Sequence, residues 1–201
     1  MTFYRRYGKR ACDLAASVAA LIVFLPLMAA LALAVRLVMG SPVLFRQQRP
    51  GLRARPFTLL KFRTMTEARD EAGELLPDER RLTRLGAFLR RWSLDEIPEL
   101  WNVLRGDMSF VGPRPLLMRY LPRYRPDQAR RHDVRPGISG WAQVNGRDLV
   151  TWTQRFAMDV WYVEHVSFSL DVKIAALTVW KALRREGVLD DGRATKDEFL
   201  G

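Results

Sequence analysis

The chain has 201 residues, and its 33 lysines and arginines against 22 aspartates and glutamates give a net charge of +11. This length suffices for one domain with a substantial core, and the charge requires an anionic partner such as nucleic acid, lipid headgroups or a phosphorylated substrate. The single cysteine, Cys12, excludes an intramolecular disulfide and a cysteine-based metal cluster, and is compatible with a reducing cytoplasm.

The N-terminal segment changes from basic to apolar. Residues 4–10 carry four cations, and residues 11–35 are apolar except for Asp13, Ser17 and Pro26. A bilayer core needs about 20 such residues, whereas the apolar region of a signal peptide has only about 7–15. The sequence therefore predicts a membrane helix that is retained.

The flanks of this helix predict its topology. Cations precede it, and five arginines follow between residues 36 and 55, so a straight span would export one basic cluster against the usual cytoplasmic bias. Pro26 removes a helical hydrogen bond near the middle of the run and favours a bend. We predict a re-entrant, monotopic helix in residues 1–40, with Ser17 or a neighbouring element as a partner for the freed backbone groups. A straight span is the alternative.

A β-hairpin is predicted next. Two β-prone runs, residues 43–48 and 56–65, are separated by Pro50-Gly51. Lys61 and Arg63 alternate with apolar neighbours, so one strand face would carry cations and the other would pack. Residues 67–78 are predicted to form a surface loop, and leucines at helical spacing follow from Glu79.

Residues 93–115, SLDEIPELWNVLRGDMSFVGPRP, concentrate the candidate chemistry. Ser93 and Glu96 fit a helix capping box, and acids at a helix start are common. Alternatively, Asp95 attacks phosphorus as a nucleophile and Glu96 holds Mg²⁺. Neighbouring side chains on a regular helix point about 100° apart, which suits two different tasks, and a helix N-terminus at Asp95 would keep it ionised.

The C-terminal part contains two mixed segments and two predicted helices. Residues 118–125 interleave aromatic and basic side chains, which suits a membrane interface or single-stranded nucleic acid. Residues 134–147 are rich in glycine and amides, as in loops that hold phosphate or a base. Helices are predicted at residues 154–163 and 169–186, with Ser169 as cap and Gly187 as stop. The second is amphipathic and either packs on the domain or lies on the bilayer.

Residues 93–115 closely resemble the signature of the bacterial sugar transferases, the monotopic phosphoglycosyl transferases. Residues 61–65, KFRTM, and 135–147, RPGISGWAQVNGR, resemble two further blocks of that family in the expected order. The resemblance covers essentially the whole chain. It implies an α+β protein: a re-entrant membrane helix in residues 1–40, then a mainly helical cytosolic catalytic domain in residues 41–201 with a small β-hairpin and amphipathic interfacial helices.

The resemblance implies transfer of a sugar 1-phosphate from a UDP-sugar to polyprenyl (undecaprenyl) phosphate, with release of UMP. Asp95 would be the nucleophile and Glu96 would help to bind Mg²⁺. Phosphates or nucleotide would be bound by Lys61, Arg90, Arg114 and Arg147. The implied setting is the cytoplasmic face of the bacterial inner membrane, on anionic phospholipid and without nucleic acid, as a monomer or homodimer.

Two residues depart from the family pattern: Glu99 stands where glutamine is usual, and Ser139 where threonine is common. Residues 73–77 and the end from Gly187 resemble small family members that use UDP-N,N′-diacetylbacillosamine, although the sequence leaves the choice of sugar open. Two alternatives remain beside the enzyme, namely a membrane-tethered nucleic-acid-binding protein and a structural membrane scaffold.

Overall fold

The computed structural model describes residues 3–146, 150–184 and 198–201 and contains long and short helices with two small sheets. After a π-helical turn at Tyr4–Gly8, the helices are α1 (Lys9–Met39), α2 (Asp78–Arg81), α3 (Arg84–Arg91), α4 (Glu99–Arg105), α5 (Pro126–Ala129), α6 (Trp141–Val144), α7 (Trp152–His165) and α8 (Phe168–Arg184). The strands are β1 (Leu44–Pro50), β2 (Pro56–Phe62), β3 (Ser109–Val111) and β4 (Gly137–Ser139). The predicted mixed, helix-rich architecture is confirmed.

Helix α1 runs without interruption through Pro26. Together with the preceding turn it is, among the described residues, the one helical segment long and apolar enough to cross a membrane. The Ser17 hydroxyl donates to the carbonyl oxygen of Leu14 at 3.1 Å. Of the two predicted partners for the backbone groups freed at Pro26, Ser17 is therefore wrong, because its hydroxyl is already bonded three residues upstream; a neighbouring element stays a prediction.

The two ends of α1 pack on the rest of the protein, and many apolar side chains between them are exposed. Near the start, the Arg10 guanidinium donates to the carbonyl oxygen of Val103 at 2.6 Å, and Asp13 accepts from the Ser109 hydroxyl at 3.0 Å. Near the end, Val35 is buried in a cluster with Phe62. Exposed apolar side chains lie between these anchors: Val18, Ile22, Val23, Phe24, Leu25 and Leu27.

The predicted hairpin is confirmed, since β1 and β2 pair antiparallel from Leu44 opposite Phe62 to Pro50 opposite Pro56. The prediction of a separate cationic face is wrong. Lys61 lies on the same face as the buried Phe57 and Leu59, because successive residues of a strand alternate between faces. Lys61 thus points toward the interior beside α4.

Strands β3 and β4 pair in parallel and depend on glycine. A Cβ atom on Gly137 would lie 2.1 Å from the backbone nitrogen of Gly112, and one on Gly140 would lie 2.4 Å from the Gly112 carbonyl oxygen. No side chain fits at that separation. The glycines of two family-like blocks are therefore needed for the backbones to meet.

The last two helices begin with side-chain caps. Thr151 and Gln154 form a capping box at α7, and α8 begins at Phe168 with the Ser167 hydroxyl accepting from the Leu170 N–H at 3.3 Å. The predicted cap at Ser169 is wrong by two residues, and Gly187 lies outside the described residues. Asp171 joins α8 to the N-terminus by accepting from Tyr4 and Lys9, both at 2.6 Å.

Candidate active site

Asp95 and Glu96 lie on a single 3₁₀ turn, Leu94–Glu96, between α3 and α4. Ser93 adopts a left-handed conformation with φ 53° and makes no side-chain capping bond, so the predicted capping box is wrong. Pro98 explains the difference. It has no N–H to donate to the Leu94 carbonyl, which stops an α-helix from running through this segment, and α4 begins only at Glu99.

Glu96 is held by two cations from distant parts of the chain. Lys61 Nζ on β2 lies 2.5 Å from Glu96 Oε1, and Arg114 Nη2 lies 2.6 Å from the same oxygen. The two cations hold the pKa of Glu96 well below its usual range despite the opposing effect of burial. No hydrogen-bond partner of Oε2 occurs among the described residues, so that oxygen is available to a ligand.

Asp95 differs from its neighbour although both are acids. It is buried, and within residues 3–146, 150–184 and 198–201 its carboxylate has no hydrogen bond or ion pair. Burial raises the pKa of Asp95, against the charges of Lys61, Arg114 and Arg90. The prediction that a helix N-terminus keeps Asp95 ionised is wrong, because α4 starts four residues later. The charges that favour the ionised carboxylate come from the nearby cations instead. An oxygen nucleophile needs such an unpaired carboxylate.

Asn102 positions Lys61 against these acids. The Asn102 side chain is fully buried, its amide donates to the Thr58 carbonyl at 2.8 Å, and its oxygen accepts from the Leu60 N–H at 3.1 Å. This pair of bonds replaces a neighbouring strand along the edge of β2. It ties α4 to the strand that carries Lys61.

Arg114 is positioned by the close contact of β3 with β4. The Gly112 N–H donates to the Ser139 carbonyl at 2.8 Å, and the Gly137 N–H donates to the Pro113 carbonyl at 3.1 Å. Arg131 then donates to the Arg114 carbonyl at 2.8 Å while its guanidinium pairs with the buried Asp159 at 2.7 Å. A buried ion pair thus supports the backbone from which Arg114 reaches Glu96.

Arg90 also lies near Asp95, since its charge lowers the pKa of that carboxyl. Its Nε atom donates to the Thr64 hydroxyl at 3.1 Å from α3. Gly86 allows the approach, because a Cβ there would lie 1.8 Å from the Thr64 carbonyl oxygen. The structure therefore brings Lys61, Arg90 and Arg114 together around the acids, whereas Arg147 lies outside the described residues.

Arg49 was not predicted as a site residue. Its guanidinium donates to Gln47 at 2.6 Å and to the Pro115 carbonyl at 3.2 Å, beside the loop that carries Arg114. Burial, with the Arg114 charge next, lowers the pKa of Arg49 to about 10. Within the sequence Arg49 was only one of several flanking cations, and nothing local distinguishes it.

Glu99 adds a third carboxylate at this centre. It is 2% exposed, and its Oε1 lies 3.2 Å from Lys61 Nζ. Burial, followed by the Glu96 charge, raises the pKa of Glu99 to about 7. Glutamine in this position would carry no charge, so the departure noted in the sequence makes this centre sensitive to pH.

We expect Glu99→Gln to change how stability depends on pH. A carboxyl whose folded pKa is raised stabilises the fold fully below its unfolded pKa of 4.5, and that contribution is lost as the pH rises through 7. Without Mg²⁺, the free energy of unfolding of Glu99→Gln should exceed that of wild type by about 3 kcal/mol at pH 8. Near pH 4 the two free energies should be equal. Urea titrations across this range measure the difference; parallel curves would contradict the assignment.

The residues of this centre fit a Mg²⁺ ion that takes only one or two of its ligands from the protein. Among the described residues no group of three His, Cys, Asp or Glu side chains could hold a metal by itself. Mg²⁺ is commonly bound by one or two carboxylates together with substrate phosphates, and Glu96 offers an ionised carboxylate with a free oxygen. A substrate diphosphate would have to supply further ligands.

Comparison with known proteins assigns the chain to a family. Residues 4–185 match the family model described as bacterial sugar transferase. This chain belongs to that family. The match includes the Asp95–Glu96 turn, both strands of the hairpin and the Arg114 loop, and the prediction made from the three sequence blocks is confirmed.

Similar proteins are known from several bacteria, and some of them carry more specific names. The chain is 59% identical to the uncharacterized sugar transferase EpsL of Bacillus subtilis (strain 168) over 167 residues, 83% of each chain. It is 43% identical to an undecaprenyl-phosphate glucose phosphotransferase of Komagataeibacter xylinus, covering 85% of this chain and 35% of the relative. An Aeromonas hydrophila UDP-N-acetylgalactosamine-undecaprenyl-phosphate N-acetylgalactosaminephosphotransferase is 38% identical, with 85% and 42% covered. This sugar transferase thus spans under half the length of the latter two.

Proposed function

We propose that this sugar transferase moves a sugar 1-phosphate from a UDP-sugar to undecaprenyl phosphate through a covalent intermediate on Asp95. The observation that carries the proposal is the contrast between two adjacent acids. Glu96 is bound by Lys61 and Arg114, whereas Asp95 is buried among cations without pairing to one. The names of the relatives support the same donor and acceptor classes.

The reaction has two steps, and both take place at the phosphorus atom that carries the sugar. An Asp95 oxygen forms a bond to the phosphorus that carries the sugar, while the bond from that phosphorus to the bridging oxygen breaks and UMP leaves with the electron pair. An oxygen of the lipid phosphate then attacks the phosphorus, and the Asp95 carboxylate is released. One phosphoanhydride replaces another, so the overall equilibrium constant is on the order of one and UMP reverses the reaction.

Each residue of the centre has a separate role in this scheme. Lys61, Arg90 and Arg114 neutralise the diphosphate, because charge stabilisation is the main requirement of phosphoryl transfer. Glu96 Oε2, with the substrate phosphates, would hold Mg²⁺, which supplies further neutralisation of the leaving UMP. Arg147, in the block shared with the family, remains a proposed ligand of the nucleotide or phosphates.

We further propose that residues 1–40 form a monotopic anchor on the cytoplasmic face of the inner membrane and residues 41–201 the catalytic domain. Two contact sets support this topology. Both ends of α1 pack on one domain, at Asp13 and at Val35, as a helix with both ends on the same side of a bilayer would. The exposed middle of α1 would then enter the membrane, and the exposed Phe168, Val172, Val179 and Trp180 of α8 would lie at its surface.

An accessibility experiment tests the topology. A tag at Met1 should be protected from reagents outside intact cells and accessible from the cytoplasm, as should a tag at Gly201. Labelling of the Met1 tag only from outside would establish a straight span instead. A cysteine introduced at Glu71, in the exposed 67–78 loop, is the cytoplasmic control.

A screen of UDP-sugars with undecaprenyl phosphate and Mg²⁺, with UMP release as the readout, tests the function and identifies the sugar. UDP-N,N′-diacetylbacillosamine, the donor suggested by the resemblance to small family members, belongs in the panel beside the UDP forms of glucose, galactose and N-acetylgalactosamine. UMP release with at least one donor is expected. No release with any donor would reject the proposal, and oligonucleotide binding that falls steeply with salt would then favour the nucleic-acid alternative.

A further inference from the structure

The Arg114 loop, residues 113–115, has a proline on each side of its arginine. Pro113 and Pro115 are buried, whereas Arg114 is half-buried. Proline has no backbone N–H, so at these two positions the backbone can be held only through carbonyl oxygens. Proline also fixes its own φ and restricts the residue before it, which makes the short segment stiff. The direction of the Arg114 side chain therefore depends on the groups that bind these carbonyls.

Three consecutive carbonyl oxygens of the Arg114 loop accept hydrogen bonds from three different parts of the chain. The bonds are Gly137 N–H to Pro113 at 3.1 Å, Arg131 Nη2 to Arg114 at 2.8 Å and Arg49 Nη1 to Pro115 at 3.2 Å. The first donor belongs to β4, and the second belongs to the buried ion pair with Asp159. The third donor comes from β1 of the hairpin and has no role in the mechanism proposed above.

Arg49 approaches the Arg114 loop from the hairpin face that also carries Lys61. In the antiparallel register Arg49 lies opposite Phe57, and cross-strand partners point to the same face of a sheet. Phe57 and Lys61 share that face, because they lie four residues apart on β2. Gln47 Oε1 accepts from Arg49 Nη2 at 2.6 Å and so directs the guanidinium. One face of the hairpin therefore supplies both the ammonium that binds Glu96 and the guanidinium that binds the Arg114 loop.

Stability alone does not account for an arginine at position 49. Within residues 3–146, 150–184 and 198–201 no carboxylate pairs with Arg49, and its Nε atom is buried without a hydrogen-bond partner. Burial, followed by the charge of Arg114, lowers the pKa of Arg49, so the charged guanidinium costs folding free energy here. Groups kept at such a cost cluster at functional sites. A planar guanidinium has several donors and binds Gln47 and the Pro115 carbonyl at the same time.

We propose that Arg49 is a positioning residue for the transfer reaction, which holds the Pro115 carbonyl and thereby fixes the direction in which Arg114 meets Glu96 and the substrate diphosphate. The inference rests on the proposed function, because Arg114 neutralises the diphosphate in that reaction. Among the described residues Arg49 makes no hydrogen bond or ion pair with Glu96, so it acts through Arg114. A single hairpin then aligns both cations that bind Glu96.

Hydrogen exchange of the substrate-free protein tests this role without any turnover. We expect the Gly137 N–H, which donates to the Arg114 loop, to exchange at least about tenfold faster in Arg49→Met than in wild type. The urea midpoint should stay close to that of wild type, because loss of one hydrogen bond is offset by loss of a buried charge. Arg46→Met removes an exposed arginine from the same strand and should exchange like wild type.

Two results of this experiment would overturn the proposal. Equal exchange of the Gly137 N–H in Arg49→Met and Arg46→Met would show that Arg49 does not hold the loop. Faster exchange throughout Arg49→Met would assign Arg49 to global stability instead. If Arg49→Met does not fold, Arg49→Gln, which leaves a polar side chain in the same space, is measured in its place with the same two criteria.

A double-mutant cycle tests whether Arg49 acts through Arg114. Arg49→Met should lower kcat for UMP release by about 10–100-fold, since misplacing a group by about 1 Å has effects up to this size, with KM for both substrates within about threefold of wild type. In an Arg114→Met background the same substitution should change kcat by less than about twofold. Losses that multiply, or a raised KM with unchanged kcat, would contradict the inference. Absence of UMP release from wild type would contradict the proposed function, and hydrogen exchange would still decide the role of Arg49.

Discussion

Asp95→Asn is expected to lower UMP release by at least about 10⁴-fold while leaving the protein folded, because loss of a covalent nucleophile has effects of this size. Asparagine keeps the shape of the side chain but cannot form the acyl phosphate. The substitution should not destabilise the protein. Burial raises the pKa of Asp95, so at neutral pH the charged carboxylate costs folding free energy that the neutral amide does not.

The measurement needs both activity and stability. UMP release is followed with saturating donor and acceptor, and urea unfolding is recorded at pH 7 for wild type and variant. Unchanged turnover in Asp95→Asn would reject the nucleophile. A large loss of stability would mean that the loss of activity has a structural cause.

Unlike Asp95→Asn, Glu96→Gln should destabilise the protein. It should also lower UMP release by about 10²–10³-fold, the range typical for one electrostatic element of an active site. Lys61 and Arg114 both contact Glu96 Oε1, and glutamine leaves them without a counter-charge. Loss of one member of a buried ion pair costs about 3–5 kcal/mol, and the 37% exposure of the Arg114 side chain moves the expected cost to about 3 kcal/mol.

This stability effect has a defined pH dependence. The pKa of Glu96 is lowered on folding, so its contribution is present above pH 4.5 and is lost only as the pH falls through the folded pKa. Unfolding at pH 7 therefore distinguishes the two neighbours, with Glu96→Gln destabilised and Asp95→Asn not. Equal stability of the two variants would contradict the division of roles, as would a Glu96→Gln enzyme with normal Mg²⁺ dependence.

Local patterns predicted the elements whose cause is local. The Pro50-Gly51 turn gave the hairpin, and the helical spacing of Leu170, Ile174 and Leu177 gave the packed face of α8. The Ser93 cap failed because the motif also contains Pro98, whose missing N–H divides the segment. In that case two local signals competed, and the stronger backbone constraint prevailed.

The site depends on contacts that no local pattern contains. Lys61 is 35 residues and Arg114 is 18 residues from Glu96, and their approach depends on Asn102 and on the glycine contact at Gly112. The face of β2 that carries Lys61 was misassigned because alternation alone does not identify the buried side. The family resemblance predicted Lys61 and Arg114 as site residues. The packing of the fold explains why both contact Glu96.

The covalent intermediate is tested most directly by the intact mass of the purified protein after incubation with a UDP-sugar and Mg²⁺ without acceptor, quenched in acid. We predict a mass increase of one sugar phosphate on wild type, located on Asp95 by peptide analysis and removed by undecaprenyl phosphate or UMP. Asp95→Asn should show no increase. Turnover by wild type without any adduct, or the same adduct on Asp95→Asn, would contradict the mechanism.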